Sequence, residues 1–488
     1  MRHNITQKRV GRMVICYATG IFKKSVQAAM IEEIPFNDPE KIISRFAEQN
    51  GAIFLDSAML TQHSGRYSFI ALDPFLILSS KNGLITLGDE TFFGNPLDVL
   101  LEQLSLFPLE KKANLPPFQG GVAGFFSYDL VRHLEKLPEP DIDDMQFPDM
   151  MLGFYDLVIG FDLHEKRAWI FSSGYPEKDL IKREKRARDR LAGLLDLIET
   201  IPDLPPVSSF SCLEKNIQSN FSKDSYQMAV KKVIEHILSG DIFEANISQR
   251  FRAELPADFS AFDLYRKLRA LNPAPFSAFL NFRETQIVSA SPERFLRLID
   301  RFVEARPIKG TRPRSHCEKK DAELASELLA SEKDTSENVM IVDLLRNDLS
   351  RVCQDHSVRV PQLCGLESYA TVHHLVSVIT GELQDELSAV DLLRATFPGG
   401  SITGAPKIRS MEIIQAIEKT ARGPYCGSIG YIGFHGDMDL SITIRTFAIK
   451  NHIAIFQAGG AIVLDSEPLA EYEETLTKAR ALFRALVE

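Results

Sequence analysis

A strong indication of the fold class comes from the segment Leu76-Ile77-Leu78-Ser79-Ser80-Lys81-Asn82-Gly83-Leu84-Ile85-Thr86-Leu87. Two short apolar runs flank Asn82-Gly83, and this pair is a strong hairpin signal because both residues tolerate the positive φ angles of a tight turn. A second hairpin is predicted for residues 155–171, with its turn near His164-Glu165-Lys166. Such hairpins outnumber any regular strand-helix-strand unit, which favours an α+β fold.

Helices are predicted between these strand pairs. Asp38 can cap a first helix that runs to about Asn50 and stops at Gly51. A charged helix covers about 177–199, and apolar residues recur at helical spacing from 226 to 238. Strand pairs and long helices thus alternate in both halves of the chain, so the α+β assignment applies to both.

The composition is that of an ordinary globular protein. Of 488 residues, 44% are hydrophobic and 25% are charged, and the formal net charge is -10. This negative balance argues against a nucleic-acid or membrane-surface partner, whose binding surface would be basic. No apolar run reaches the roughly 18 residues that span a bilayer. Six cysteines follow no metal-ligand or paired spacing, so we expect reduced thiols and a cytoplasmic location.

Two stretches of unusual composition divide the chain. Basic residues precede a modestly apolar run near the start, but Lys23-Lys24 and the lack of a clear cleavage site argue against a signal peptide. We therefore predict a disordered leader at 1–26. Residues 201–222 are rich in proline and serine without periodicity, which indicates a linker. The predicted regions are thus an amino-terminal one at 27–200 and a second one at 223–488.

A basic loop in the second region is the first candidate for chemistry. It reads Arg306-Pro307-Ile308-Lys309-Gly310-Thr311-Arg312-Pro313-Arg314, with prolines that stiffen the backbone and a permissive glycine. Two interpretations are open: a solvated basic turn, or a loop that aims Lys309 into a pocket for an anion. In the second case, burial or the neighbouring arginines would lower the pKa of Lys309 and make its amine nucleophilic.

Two helices carry acidic residues that suit a metal ion. In the last helix, Glu471, Glu474 and Lys478 fall on one face, although Glu474 and Lys478 could equally form an ordinary surface pair. Another helix is predicted to start near Thr335, where Glu337 either favours the helix dipole or serves as a ligand. Magnesium prefers one or two protein carboxylates and keeps its other coordination positions for water and substrate. Glu337 and Glu474 could supply these two carboxylates.

A glycine-rich loop at 397–407 precedes a predicted helix at 408–418, and its free amides suit an anion. It is not a phosphate-binding P-loop, because no Ser or Thr follows Lys407. Further on, a predicted strand at 440–449 places Arg445 on the face opposite its apolar residues. Arg445 there either holds a carboxylate through two hydrogen bonds or is solvated.

Two smaller features have two interpretations each. Glu293 stands beside a turn and is either a carboxylic acid with a raised pKa or a partner of Arg294. His373-His374 precedes a strand-like apolar run, so one of the two rings points inward. That ring is either a satisfied core histidine or a contact to substrate.

Several of these segments match one family in the same order along the chain. They are Ser291-Pro292-Glu293-Arg294-Phe295, the Lys309 loop, Glu337-Asn338-Val339-Met340-Ile341-Val342-Asp343-Leu344, His374-Leu375-Val376-Ser377, Gly404-Ala405-Pro406-Lys407 and Glu471-Tyr472-Glu473-Glu474-Thr475. These motifs resemble the chorismate-utilising enzymes over about residues 225–488. The first half resembles the amino-terminal region of the family's amine-adding large components through Leu55-Asp56-Ser57 and Gly65-Arg66-Tyr67-Ser68-Phe69. The implied fold is α+β, with two large antiparallel sheets packed face to face and helices on the outside.

The resemblance implies an amination reaction. In this family a lysine within Pro307-Ile308-Lys309-Gly310-Thr311 marks the members that make 4-amino-4-deoxychorismate, a precursor of p-aminobenzoate and folate. Members that make anthranilate have alanine there. Lys309 would attack C2 of chorismate while Glu293 protonates the departing 4-hydroxyl, and ammonia would then add at C4 and expel the lysine.

The same resemblance implies a set of ligand contacts. Magnesium would bind Glu337 and Glu474, with Asp334 and Glu471 as outer or water-mediated partners. The residues implied for the substrate are Tyr425, Arg445, Gly459 and Gly460 at the enolpyruvyl carboxylate, and Thr403, His374 and Lys478 along the pocket wall.

One position departs from the family pattern. Glu244 stands where water-adding members have lysine and amine-adding members usually have glutamine. We hypothesise that Glu244 helps to hold ammonium or takes a proton. The sequence has no Cys-His-Glu glutaminase segment, so we expect it to use free ammonia or a separate glutamine amidotransferase subunit.

Two other functions and one regulatory feature stay open. The close rival activity is anthranilate formation, against which Lys309 speaks. A rival from another class is a non-catalytic protein that binds a carboxylate metabolite. The residues around Asp56-Ser57 and Asn272-Pro273-Ala274-Pro275-Phe276 also resemble the tryptophan pocket of relatives, so an amino-acid effector is a further option.

Overall fold

The computed structural model describes residues 27–61, 64–208, 214–369 and 372–487. The predicted leader at 1–26 and part of the predicted linker, 209–213, lie outside the described residues. The strands of the described chain form two 12-stranded sheets, called sheet I and sheet II below.

The strands before the proline-rich stretch are β1 (Met30–Ile34), β2 (Ala52–Asp56), β3 (Tyr67–Ala71), β4 (Leu76–Lys81), β5 (Leu84–Leu87), β6 (Glu90–Phe93), β7 (Gly121–Phe126), β8 (Met150–Tyr155), β9 (Leu157–Asp162) and β10 (Arg167–Ser172). The first strands after it are β11 (Gln218–Ser219), β12 (Glu244–Glu254), β13 (Phe276–Phe282), β14 (Thr285–Ser291), β15 (Arg294–Ile299), β16 (Phe302–Ala305) and β17 (Ile308–Pro313). The remaining strands are β18 (Arg359–Ser368), β19 (Val372–Glu382), β20 (Gly404–Ala405), β21 (Ser428–Gly433), β22 (Met438–Ile442), β23 (Thr446–Lys450) and β24 (Ile453–Ile462).

The helices are α1 (Pro39–Ser44), α2 (Pro96–Ser105), α3 (Leu180–Ile198), α4 (Lys223–Leu238), α5 (Ala261–Leu271), α6 (Glu318–Leu329), α7 (Glu332–Ser350), α8 (Ala389–Thr396), α9 (Lys407–Glu418) and α10 (Pro468–Val487). Short 3-10 turns lie at Tyr128–His133, Glu214–Asn216 and Gly400–Ile402. Within the described ranges, no helix combines the length and the apolar character that crossing a membrane requires.

Strands from both predicted regions take part in both sheets. Sheet I has the order β1-β10-β9-β3-β2-β13-β14-β23-β24-β12-β11, and β20 also pairs with β12. Sheet II has the order β17-β19-β16-β15-β22-β21-β7-β8-β4-β5-β6, and β18 also pairs with β19. The regions join where β2 pairs with β13 and β7 pairs with β21, both antiparallel. The predicted α+β class with two large antiparallel sheets is confirmed.

The two sheets pack face to face. Between them lies a buried cluster that includes Phe69 and Leu280 from sheet I and Phe125 and Tyr431 from sheet II. Helices cover the outer faces, since α5 and α10 pack on sheet I while α7 and α8 pack on sheet II. Successive side chains of a strand point to opposite faces, so central strands need apolar residues on both.

Both predicted hairpins are confirmed. β4 and β5 pair up to Lys81 and Leu84, and the turn residues Asn82 and Gly83 have φ angles of 50° and 78°. β9 and β10 form the second hairpin, and its turn contains Lys166 with a φ of 54°. The positive φ angles are those that the turn residues were expected to supply.

Two helices differ from their predicted bounds. α1 ends at Ser44 and not near Asn50, because the following amides bond three residues back and the chain tightens into turns. α7 begins at Glu332, earlier than the predicted Thr335, because the side chain of Ser331 caps it. The second difference matters for the site, since it places Glu337 inside the helix rather than at its opening.

The predicted single strand at 440–449 is wrong. The chain leaves sheet II at the end of β22 and enters sheet I at the start of β23. Arg445 between them has a φ of 51°, which an extended strand does not allow. Residues 443–445 therefore form a crossing between the sheets.

A second crossing lies beside the first one. β14 belongs to sheet I and β15 to sheet II, and Pro292-Glu293 connects them. The amide of Ile442 donates to the carbonyl of Glu293 at 3.0 Å, and the amide of Ala290 donates to the carbonyl of Arg445 at 3.1 Å. The hydrogen-bonded crossings bring together Glu293 and Arg445, which lie far apart in the sequence.

Candidate active site

Lys309 lies in β17 at the edge of sheet II. The strand pairs with β19, and its register shifts between Lys309 and Thr311. Gly310 at this shift has a φ of 75°, and a Cβ atom there would lie 2.8 Å from Cγ of Asp334 in α7. Glycine is therefore needed both for the backbone angle and for the close approach of the helix. The side chain of Lys309 is left only 10% exposed.

Carboxylates surround the amine of Lys309. Nζ donates a hydrogen bond to Oε1 of Glu244 at 3.2 Å and lies 3.8 Å from Oε2 of Glu337. Burial acts to lower the pKa of Lys309, but the charges of these carboxylates outweigh it and raise the pKa above its ordinary value. The expected lowering of this pKa is therefore wrong, and the amine must lose a proton before it can act as a nucleophile.

The arginines of the same loop do not act on Lys309 as expected. Each has an acidic partner of its own: Arg306 pairs with Glu367, Arg312 with Glu327 and Arg314 with Asp321. Because these partners compensate their charge, the arginines do not lower the pKa of the lysine. The two open interpretations of the loop thus apply to different residues, with Lys309 buried and Arg314 on the surface.

Glu293 is a buried carboxyl group in the crossing from β14 to β15. Its Oε1 accepts a hydrogen bond from the hydroxyl of Ser401 at 2.9 Å. Burial raises the pKa of Glu293, and this effect outweighs the Ser401 hydrogen bond and the nearby lysine charges, which lower it. The alternative pairing with Arg294 is not formed, because Arg294 donates to Asp439 at 2.9 Å. The environment suits a group that holds a proton and donates it.

Ser401 is a site residue without a sequence signal of its own. It lies in the glycine-rich loop, and its partner Glu293 is 108 residues away. Nothing in the local pattern separates it from its neighbours, because the contact exists only in the folded chain. Other polar groups of this loop bond within the fold, since Lys407 pairs with Asp348 at 2.5 Å and the Thr403 hydroxyl donates to a loop carbonyl at 3.0 Å.

Arg445 lies in the crossing from β22 to β23 and forms no ion pair within the described part of the chain. Its Nη1 donates to the side chain of Asn272 at 3.4 Å. Burial lowers the pKa of Arg445, and the charge of Glu293 opposes this. A buried guanidinium without a counterion is unfavourable until a ligand supplies one. The position therefore suits a carboxylate ligand.

The two adjacent histidines have different surroundings. His373 is the buried ring, and both of its nitrogens have partners, one of them Asp321 at 3.1 Å. His373 is therefore the satisfied core histidine. Nδ1 of His374 lies 2.9 Å from the hydroxyl of Thr311. Burial lowers the pKa of His374 and the charge of Arg445 acts in the same direction, while a hydrogen bond to the backbone of Gly310 opposes them.

The acidic parts of α7 and α10 face each other. Nζ of Lys333 in α7 lies 3.8 Å from Oε1 of Glu471 in α10. Burial raises the pKa of Glu337 to about 7. The charge of Lys309 acts to lower this pKa, and the charge of Glu244 acts to raise it. Burial likewise raises the pKa of Glu471. For both carboxyl groups the effect of burial outweighs the charges of the nearby lysines, which act to lower the pKa.

Glu474 is the second carboxylate expected to hold a metal. Its Oε1 lies 2.7 Å from Nζ of Lys478, so the i,i+4 pair is formed. Burial acts to raise the pKa of Glu474, but the charge of Lys478 and its hydrogen bond outweigh it and lower the pKa. Asp334, the expected outer partner, lies 3.5 Å from Arg312.

A hard divalent cation fits this corner. The available donors are carboxylate oxygens, which Mg²⁺ prefers. Burial raises the pKa of Glu337, and a bound cation would oppose this by favouring the charged carboxylate. No group of three or more His, Cys, Asp or Glu forms a metal-ligand cluster among the residues that the structure describes. A metal on Glu337 and Glu474 would therefore take its other ligands from water and substrate.

Two glycines of β24 border the carboxylates. A Cβ atom at Gly460 would lie 3.2 Å from Oε2 of Glu471 and 3.7 Å from Oε1 of Glu474. The carbonyl of Gly459 accepts a hydrogen bond from Lys478 at 2.9 Å. The strand thus leaves space beside the carboxylates because it carries no side chain at Gly460.

Tyr425 is buried near Arg422, whose guanidinium carbon lies 5.8 Å from the ring centre. Burial raises the pKa of Tyr425 well above its ordinary value, so the hydroxyl keeps its proton and can donate a hydrogen bond.

The predicted site residues contact one another directly in two clusters. One cluster is Lys309 with Glu244 and Glu337, and the other is Lys478 with Gly459 and Glu474.

A separate cavity of about 500 Å³ is lined by the residues that resemble an effector pocket, among them Asp56, Ser57 and Phe276. Asp56 is already occupied, since Oδ2 accepts hydrogen bonds from Tyr265 at 2.6 Å and from Arg269 at 2.7 Å. None of the predicted catalytic or metal residues lines this cavity. An effector there stays a prediction.

Known proteins resemble this chain in sequence and in fold. The model of the chorismate binding enzyme family matches residues 56–484. Aminodeoxychorismate synthase component 1 of Bacillus subtilis is 38% identical over 441 residues, which cover 89% of this chain and 91% of that protein. Anthranilate synthase component 1 of Thermus thermophilus is 39% identical over 443 residues, which cover 91% and 94%. The crystal structure of anthranilate synthase component I from Streptococcus pneumoniae aligns with a TM-score of 0.75 and 33% identity, over 93% of this chain and 99% of that one.

The chain therefore belongs to the chorismate binding enzyme family, and the resemblance of its motifs to that family is confirmed. Relatives named for two different reactions are almost equally similar, at 38% and 39% identity. Overall identity does not separate the two reactions, so the distinction must come from residues of the site.

Proposed function

We propose that the chain is the large component of an aminodeoxychorismate synthase, which converts chorismate and ammonia into 4-amino-4-deoxychorismate and water. One observation carries the proposal: the amine of Lys309 is buried at the site and bonded to Glu244 at 3.2 Å. Family members that make anthranilate have alanine at this loop position and lack the amine. A largely buried amine at this position supports the proposal, because the covalent route requires a nucleophile there.

The first half of the reaction would form a covalent bond to Lys309. Because the pKa of Lys309 is raised, the amine first passes a proton to Glu244, the carboxylate that it contacts. The amine nitrogen then bonds to C2 of chorismate, the two ring double bonds shift to C1–C6 and C4–C5, and the bond from C4 to its hydroxyl breaks. Glu293 protonates the departing hydroxyl, which leaves as water. Solvent returns a proton to Glu293 and removes the one on Glu244.

The second half would deliver the amine. Ammonia bonds to C4 while the bond from C2 to the Lys309 nitrogen breaks, and the two ring double bonds shift back to C1–C2 and C5–C6. Lys309 leaves as a neutral amine. The sum of both halves is chorismate plus ammonia giving 4-amino-4-deoxychorismate plus water, with no oxidant or reductant required.

Binding of the substrate would use the cations and backbone of the site. Arg445 would hold the enolpyruvyl carboxylate, because it is partly buried and has no ion-pair partner within the described chain. Tyr425 and the backbone at Gly460 would complete that end. Mg²⁺ on Glu337 and Glu474, when bound, would supply positive charge for the ring carboxylate.

The ammonia would come from glutamine through a separate glutamine amidotransferase subunit, or from free ammonium. The relatives named above are called component 1, which is consistent with a second component. This chain has no glutaminase segment in its sequence.

The test is a product assay. Purified chain is incubated with chorismate, ammonium and Mg²⁺, with and without an added glutaminase subunit, and the product is identified by mass and fluorescence. We expect 4-amino-4-deoxychorismate, and with chorismate alone a protein adduct of the mass of chorismate less one water. Lys309→Ala is the matched control and should form no adduct.

Two outcomes would contradict the proposal. Anthranilate as product would favour the rival synthase. Absence of any product under all conditions, with chorismate still bound and Lys309→Ala binding equally well, would favour a non-catalytic carboxylate-binding protein.

A further inference from the structure

Two buried oxygen atoms on β12, the strand whose Glu244 contacts Lys309, have no hydrogen-bond partner among the described residues. They are Oε2 of Glu244, a residue that is 0% exposed, and Oδ1 of Asn246, which is 8% exposed. Folded proteins leave few buried polar atoms unpaired, because the desolvation of such an atom is unfavourable. Two unpaired acceptors on alternate residues of one strand suit a donor that binds between them.

Both residues belong to the same face of β12. They are alternate residues, so their side chains leave the same side of the strand. Ala245 and Ile247 pack with residues of α4 and α9 on the other side. The face of Glu244 is the one that reaches the reaction centre, since its Oε1 is bonded to Lys309. Residues two apart on a strand are separated by about 6.6 Å, so one small ligand can lie between the two side chains.

The strand is well anchored at this point. The amide of Asn246 donates to the carbonyl of Thr403 at 2.8 Å, and its carbonyl accepts from Arg422 at 2.6 Å. The next side chain on the face is also satisfied, because Ser248 donates to Glu418 at 2.9 Å. The unpaired oxygens therefore do not reflect a loose segment, and the rigid backbone holds them in place for a ligand.

The chemistry of the two atoms limits the ligand. Both are hydrogen-bond acceptors, and Oε2 belongs to a carboxylate. A small ligand that carries only donors and a positive charge fits them, and ammonium has four N–H donors and no acceptor. Water can also donate two hydrogen bonds, but it gains nothing from the charge of Glu244.

We propose that Glu244 and Asn246 form the binding site of the ammonium ion whose nitrogen is transferred. This inference rests on the proposed amination, which it deepens by adding Asn246 and by giving Glu244 a defined ligand. The ion binds on the strand whose Glu244 side chain contacts Lys309.

The proton balance closes with these groups. Ammonium gives one proton to the Glu244 carboxylate, and the resulting ammonia bonds to C4. When Lys309 leaves C2 as a neutral amine, Glu244 passes that proton to it, which restores the ion pair seen between them. The product keeps the other three hydrogens of ammonium on its new amine.

Steady-state kinetics with free ammonium tests the site. Asn246→Leu should raise KM for ammonium about tenfold or more, the effect of losing one hydrogen bond to a charged group, and leave KM for chorismate unchanged. Asn246→Asp keeps the acceptors and should retain the ammonium KM. Glu244→Gln should also raise KM for ammonium, and should in addition slow the chemical step.

Thermal unfolding supplies a readout that does not depend on product. Ammonium chloride should raise Tm above the value in sodium chloride of equal ionic strength, because a ligand that binds only the folded state stabilises it. Asn246→Leu should abolish this shift without lowering Tm, since the variant removes an unpaired acceptor. The matched control is Asn281→Leu, which loses a bonded buried side chain and should lower Tm but keep the ammonium shift.

Three outcomes decide the inference. An unchanged ammonium KM in both Asn246→Leu and Glu244→Gln overturns it, as does an equal Tm shift with potassium chloride. If the wild-type chain makes anthranilate and the ammonium-specific Tm shift still disappears in Asn246→Leu, the ammonium site stands and the proposed product is wrong.

Discussion

Nζ of Lys309 donates a hydrogen bond to Oε1 of Glu244 at 3.2 Å, although 65 residues separate them and they lie in different sheets. The contact explains why the resting amine is protonated and also which group can take the proton. Burial alone would have lowered the pKa of the lysine, but the carboxylates raise it. The protonation of Lys309 in β17 therefore depends on the position of Glu244 in β12.

Removal of the lysine amine should abolish amination. We expect Lys309→Ala to lower kcat/KM for 4-amino-4-deoxychorismate formation at least about a thousandfold, as loss of a covalent nucleophile does in other enzymes. Arg314→Gln is the control from the same loop, because Arg314 is exposed and bonded to Asp321 at 2.9 Å. A product assay by mass should find the control close to wild type, and an equal loss in both variants would contradict the role of the amine.

The acid role of Glu293 should be visible in the pH profile. The hydroxyl of Ser401 stabilises the charged form of Glu293, so Ser401→Ala should raise its pKa further. The protonated acid then persists to higher pH, and the limb on which kcat/KM falls as pH rises should move upward. Glu293→Gln does not titrate at this position, so its pH profile should lack this limb. Its kcat should be about 10²- to 10⁴-fold lower than that of the wild type. A limb that stays in place in both variants would assign it to another group.

Arg445 should be a binding residue that does not stabilise the fold. Arg445→Met is expected to raise KM for chorismate about 10- to 100-fold, since hydrogen bonds to a charged group are lost. Its free energy of unfolding should not fall, because the variant removes a buried charge without a counterion. The matched control is Arg294→Met, which breaks the ion pair with Asp439. Its free energy of unfolding, measured by urea denaturation, should fall by about 3–5 kcal/mol. Equal destabilisation of the two variants would contradict this account.

Gly310 should be needed for more than its backbone angle. In Gly310→Ala the new Cβ atom would lie 2.8 Å from Cγ of Asp334, and the residue would keep a φ of 75°. In Gly240→Ala the φ is similar, at 77°, but no atom lies within 4 Å of the new Cβ. The second variant isolates the backbone strain, about 1–2 kcal/mol. Gly310→Ala should lose more stability than Gly240→Ala and should also lose activity, because α7 must move away from Lys309. Chemical unfolding and the amination assay measure both effects, and identical values for the two variants would refute the contact.

Much of the fold followed from local chemistry. The turn at Asn82-Gly83 was predictable because a two-residue hairpin turn requires positive φ angles that these residues tolerate. The start of the first helix was predictable because Asp38 caps it. Local rules did not give every boundary, since α7 begins at Glu332 through a Ser331 cap that the acidic pattern hid.

The site was predictable only as a set of separate residues. Lys309, Glu293 and Glu337 were candidates from their motifs, but Ser401 and Asn246 carried no signal, because their significance lies in contacts with distant residues.

The hairpins, the capped helices and the residue types that suit an anionic substrate could be predicted from the sequence, since these depend on neighbours in the chain. The break between β22 and β23, the direction of the Lys309 pKa and the unpaired acceptors of β12 depend on the folded arrangement. The physical reason is the same in each case: two sheets built from both halves of the chain set the electrostatic surroundings and hydrogen-bond partners of every site residue across long sequence separations.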